Sequence, residues 1–153
     1  MMKITSILMF IFLIQVSAQA NRIDLDELRD NYKIAVTDKK LCLQMIEILK
    51  SQDNDPIFLA YLGGFQTIWA NHTFNPIEKL RTFNKGKKNI QKAILKDPDN
   101  VEARFIRFSV QKNAPFFLGY NLNIKEDEEF LKIHRTKISS DAVIKNIETL
   151  LKD

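Results

Sequence analysis

Arg104 and Arg107 are the side chains whose type and spacing most suggest chemistry. They stand three residues apart in a run from Val101 to Val110 that is otherwise largely apolar, so on a helix they share one side. A guanidinium forks two N–H donors onto a carboxylate. Such a pair must reach solvent, meet carboxylates of its own chain, or face a groove that receives a partner's carboxylates. Just beyond, Ala114-Pro115-Phe116-Phe117-Leu118-Gly119-Tyr120 makes a short connector crowded with rings. It reads as a turn whose aromatics plug the end of a helical bundle, or as a hydrophobic lip used for binding. Arg104, Arg107, Phe116, Phe117 and Tyr120 are therefore the candidate binding residues.

Other chemistry finds little to work with. His72 and His134 are the two histidines, and neither has a second His, Cys or acid at metal-ligand spacing. No G-x-S-x-G, phosphate-loop or G-x-G-x-x-G pattern occurs. No catalytic residue, metal site or cofactor is expected, and the chain is not expected to be an enzyme. A triad assembled across the fold remains a formal alternative. Cys42 is the single cysteine, set in Leu41-Cys42-Leu43; it reads as a small buried hydrophobe, with a reactive thiol the alternative. Asn71-His72-Thr73 is formally a glycosylation acceptor and matters only in a eukaryotic secretory pathway. Lys85, Lys87 and Lys88 surround Gly86; they read as a solvated face, with an anion-binding patch the alternative.

The N-terminus carries an address. Lys3 precedes an apolar run over residues 4–14, and Ala18-Gln19-Ala20 offers small residues placed for cleavage, as does Val16-Ser17-Ala18. Residues 1–20 are thus expected to be a secretory signal peptide; an N-terminal membrane anchor is the alternative, for which the run is shorter than the roughly 20 residues that span a bilayer. The exported chain would be periplasmic or secreted, with no stable membrane span. Removing residues 1–20 takes away one lysine and no acid and leaves 22 basic against 19 acidic residues. That mild, mixed charge gives nucleic-acid binding no support.

The elements that must position these residues are helical. Only four Gly and four Pro occur in 153 residues, too few for a turn-rich β fold. Residues 21–153 are expected to form one domain of about six or seven helices. Leu25, Leu28, Tyr32, Ala35 and Val36 share a face after Asp24, and a break near Thr37-Asp38 precedes the apolar positions of Leu41 to Leu49. Asp55-Pro56 opens a helix with the stripe Ile57, Phe58, Tyr61, Leu62, Phe65, Ile68 and Trp69. Gly63 and Gly64 lie along it, which suggests a second helix packed very close, with a ligand approaching bare backbone the alternative. Asn75-Pro76-Ile77-Glu78 starts the next helix, in which Ile77, Leu80, Phe83, Ile90 and Ile94 keep a spacing near 3.5 up to about Lys96. Asp97-Pro98-Asp99-Asn100 ends it, and Asp99 with Glu102 looks like a capping pair for the apolar helix that follows. Asn123 and Glu126 suggest a further cap. The acids Glu126 to Glu129 suit the positive end of a helix dipole, and Phe130, Leu131, Ile133 and Ile138 supply that region's buried side. Ser139 or Ser140 caps a last helix.

Ala93-Ile94-Leu95-Lys96-Asp97-Pro98-Asp99-Asn100-Val101-Glu102-Ala103 resembles the junction between two tetratricopeptide repeats, and Leu62-Gly63 matches the Leu-Gly of that family's first helix. The helices and loop here are longer than the family's 34-residue period allows. Arg104 to Tyr120 also resembles a signature of small exported bacterial proteins, a likeness that carries no activity. The resemblance implies a TPR-like right-handed stack of antiparallel helical hairpins, with a concave face for a peptide or partner helix. The function expected is an exported protein-interaction module. The alternative is a carrier holding a small apolar ligand between the Tyr61/Phe65/Trp69 helix and Phe116/Phe117.

Overall fold

The computed structural model describes residues 22–152, and over that span the chain is all helical. The expected signal peptide lies outside the described residues. Seven α-helices follow one another: α1 (Leu25–Ile34), α2 (Lys39–Leu49), α3 (Pro56–His72), α4 (Pro76–Lys96), α5 (Val101–Asn113), α6 (Ile124–His134) and α7 (Asp141–Lys152). Two short 3₁₀ turns, Phe116–Leu118 and Arg135–Lys137, sit before and after α6.

Local chemistry sets most of the boundaries. The Asp24 side chain accepts from the backbone N–H groups of Asp26 and Glu27, Asp38 from Leu41, Asp55 from Ile57, and Asn75 from Ile77 and Glu78. Each cap satisfies donors that a helix start leaves open. The α4–α5 turn departs from the expected pairing. Asn100 is the cap of α5, accepting from the N–H of Ala103 at 3.0 Å, and Glu102 is drawn into the core instead. Helix α3 ends at His72. Asn123 makes no side-chain bond to the backbone of α6; its amide donates to Glu126 Oε2 at 2.9 Å.

Helix α3 is the hub. It packs most extensively on α4, and also on α1, α2 and α5, while α6 and α7 close over α5. The α3–α4 crossing is built on glycine. A Cβ on Gly63 would lie 2.7 Å from the Gly86 carbonyl oxygen, and Gly86 has Gly63 and Thr67 equally close. The neighbouring Gly64 leaves room for the Tyr32 ring of α1. The paired glycines thus serve close packing on two sides, as their position in a helix implies. Tyr32, itself partly buried, stands edge-on to both Tyr61 and Phe65, with ring centroids 5.4 and 5.5 Å apart, and packs against one continuous core that holds the other two rings.

Candidate functional site

The α5–α6 junction contains all five candidate residues, and it divides them into two kinds. Arg104 and Arg107 do lie on one side of α5, but that side meets α6. Arg107 Nε donates to Asp127 Oδ2 at 2.6 Å and its Nη2 to Asp127 Oδ1 at 2.6 Å, a forked pair. The Arg107 side chain is 3% exposed and that of Asp127 fully buried. A third bond runs from Arg107 Nη1 to Gln91 of α4 at 3.3 Å. Arg104 donates to Glu126 and, at 3.1 Å, to Asp127, while its Nε reaches the Pro98 carbonyl. Its guanidinium also lies 4.8 Å from the Phe130 ring. Bonds from Asn123 and then Arg104 hold the Glu126 carboxyl below the usual carboxylate range.

The two arginines expected on a binding face are therefore turned inward. Of the three options open to them, they take carboxylates of their own chain. The acids of α6 accordingly do more than complement a helix dipole. Asp127 is a buried counter-charge, and no separation in the sequence singles it out from Glu126, Glu128 and Glu129. A second buried ion pair joins α1 to α5. The carboxylate of Glu102 takes two bonds from Arg29 of α1 and one from the Tyr61 hydroxyl at 3.0 Å. These partners are 73 and 41 residues away, a distance at which no pattern signals pairing.

The rings divide the other way. Phe116 is 85% exposed and Phe117 83%. They occupy a 3₁₀ turn closed by Gly119, whose φ of 60° is the left-handed region open to glycine. Tyr120 then turns inward, its ring edge-on to Phe83 of α4 at 5.9 Å and covered by Lys87 Nζ at 5.1 Å. Its hydroxyl is buried without a hydrogen-bond partner among the described residues, and burial pushes its pKa up to about 12. The connector is thus pinned by Tyr120 and presents two adjacent rings to solvent. Leu122 beside it is exposed as well.

The Tyr120–Phe83 contact places the connector near the N-terminal half of α4, where Phe74, Ile77 and Leu80 are all exposed. Ile77 and Leu80 were expected on the buried face; α4 turns Phe83, Gly86, Ile90, Ala93 and Ile94 inward instead. Ile133, also expected inside, is exposed on α6. Phe74 immediately precedes the cap of α4, and the position where an apolar partner would hold it down is Lys79.

Tyr61 and Phe65 are buried in the core, and two clefts among the described residues lie elsewhere. The larger, about 410 Å³, is bordered by Arg22, Leu25, Asp55 and Phe58, at the opposite end of α3 from the connector. His72 bonds through Nε2 to the Ala35 carbonyl oxygen at 2.8 Å, and His134 packs on Phe130. Among the described residues, no three His, Cys, Asp or Glu side chains group as metal ligands would. Cys42 is buried, its thiol 3.4 Å from the Phe65 carbonyl oxygen, and burial raises its pKa to about 12. The chain matches no family model, no curated protein and no solved structure.

Proposed function

We propose that the chain is an exported helical interaction module, without catalytic activity, that docks a protein or peptide partner on the α5–α6 connector. The observation that carries this reading is the pair Phe116 and Phe117, adjacent and more than four-fifths exposed on a turn closed by Gly119 and pinned through Tyr120. A rigid, exposed aromatic pair loses little conformational entropy on binding, and aromatic anchors dominate interface energetics. Arg104 and Arg107 contribute by holding α6 against α5, which sets the connector's second anchor. In each hairpin the first helix packs on the first helix of the next, α1 on α3, α3 on α5 and α5 on α7. That order is what a TPR-like stack requires and supports the finer description of the fold. The apolar run at residues 4–14 with its Ala18-Gln19-Ala20 site supports export.

The test is a photo-crosslinking residue at position 117, with the same residue at exposed Gln44 on α2 as control. A discrete adduct from 117 alone, lost on Phe116→Ser, is expected. Equal adducts from both positions, or none from 117, would remove the connector as the docking surface.

A further inference from the structure

The outer face of α4 is a separate surface. Between Pro76 and Lys96 stand seven basic residues and one acid, Glu78. Ile77, Arg81, Lys85, Lys88, Lys92 and Leu95 recur three or four residues apart, so they form one ridge, and all six are exposed. Arg81 is bonded to Glu78 of its own helix at 2.6 Å. Lys85, Lys88 and Lys92 have no carboxylate within 4.0 Å among the described residues.

A solvated face explains the lysines but not the apolar residues in the same row. Ile77 is 77% and Leu95 72% exposed, and Phe74, one position before the cap, is 97% exposed. Cations along the middle and apolar groups at the ends satisfy two requirements of an anionic lipid surface at once: Coulombic attraction to headgroups and insertion at the acyl boundary. The ridge runs along a helix of 21 residues, about 31 Å long at 1.5 Å per residue. An exposed helix of that length can lie along a membrane plane. The ridge's free cations are lysines, point charges that read a headgroup layer without demanding fixed acceptor geometry. A nucleic acid or an acidic protein would answer the lysines and leave Phe74 and Ile77 without a counterpart. No helix of the described residues is long and apolar enough to cross a membrane, so the contact is peripheral.

We propose that the outer face of α4 rests on an anionic bilayer, with Lys85, Lys88 and Lys92 over the headgroups and Phe74 and Ile77 entering the acyl boundary. This face is distinct from the connector rings, so each can fail without the other.

The test is vesicle flotation of the full chain on phosphatidylcholine mixed with phosphatidylglycerol, against pure phosphatidylcholine. The N-terminal residues are common to wild type and variants, so differences report on α4. Wild type is expected to favour the anionic vesicles, and added salt to weaken that preference. Each surface cation contributes roughly fivefold to partition. Lys85→Glu with Lys88→Glu should therefore lower anionic binding by at least about 25-fold with circular dichroism unchanged. Lys33→Glu with Lys40→Glu, exposed positions on other elements with the same charge change, should retain most of it. Phe74→Ser with Ile77→Ser should weaken binding severalfold while the salt dependence persists. No preference for anionic vesicles, or equal losses in the two charge-reversal variants, would overturn the proposal. So would displacement of the vesicles by poly-glutamate or duplex DNA at equal charge, which would make the ridge a site for an acidic macromolecule.

Discussion

The fork between Arg107 and Asp127 shows how a charge can sit inside this chain. A buried guanidinium is tolerated because its carboxylate partner is equally buried and takes two of its donors, while Gln91 takes a third. Removing one member of such a pair leaves the other uncompensated, which costs about 3–5 kcal/mol, more than the pair is worth against an apolar replacement. Asp127→Asn keeps the shape and removes the charge, so we expect a loss of that size in urea denaturation. An unchanged midpoint would show that the fork does not hold α6 in place. Phe116→Ser with Phe117→Ser should leave the midpoint within about 0.5 kcal/mol of wild type, since exposed positions contribute little to stability. Glu126 adds a weaker, pH-dependent part. Its pKa lies below the ordinary value, so its contribution is present above that value and is lost as pH falls through the depressed one. The spacing of Arg104 and Arg107 was enough to put them on one side of a helix; whether that side faced solvent, a partner or α6 depended on tertiary placement.

Among the helices, the α3–α4 crossing separates two effects that are usually mixed. Alanine in place of glycine in a helix interior is favourable by roughly 1 kcal/mol from backbone entropy alone. At Gly63 and Gly86 the added methyl would meet backbone of the opposite helix below 3.0 Å, and overpacking of that kind costs typically 1–3 kcal/mol. We therefore expect Gly63→Ala and Gly86→Ala each to lower the thermal midpoint, and the double variant to lower it further. A raised midpoint would mean that the crossing relaxes and that helix propensity wins. Helix starts were legible because Asp24, Asp38, Asp55 and Asn75 act within three residues of themselves. Asp99 with Glu102 looked equally good by the same rule. It failed because Arg29 and Tyr61 compete for the Glu102 carboxylate. The face of α4 was only partly legible, since Ile77 and Leu80 keep the periodicity of the buried residues. Their exposure follows from how far α3 and α5 cover the first turns of α4, which hydrophobic spacing does not encode.

Across the whole molecule, the aromatic core ties stability to the alkaline limb. The chain has three tyrosines, and all three hydroxyls, of Tyr32, Tyr61 and Tyr120, are held protonated, first of all by loss of solvent around them. The thiol of Cys42 is held in the same way. In the unfolded chain these groups ionise near 10.0 for tyrosine and 9.0 for cysteine, whereas Tyr120 and Cys42 reach about 12 when folded. The unfolded state therefore releases protons first, so the stability these groups contribute is whole below pH 9 and drains away as pH climbs towards 12. Acid offers no such lever on these groups, since they are neutral in both states there. We expect the urea midpoint to fall steadily above pH 9. We also expect the phenolate absorbance of Tyr32 and Tyr61 to rise together with the loss of helical circular dichroism, because these two rings pack against the hub helix α3, whereas Tyr120 reports on the connector's contact with α4. A tyrosine that titrates near pH 10 with helicity intact would show that its part of the hub opens independently. The residue at fault would be identified by Tyr→Phe substitution at each of the three positions in turn.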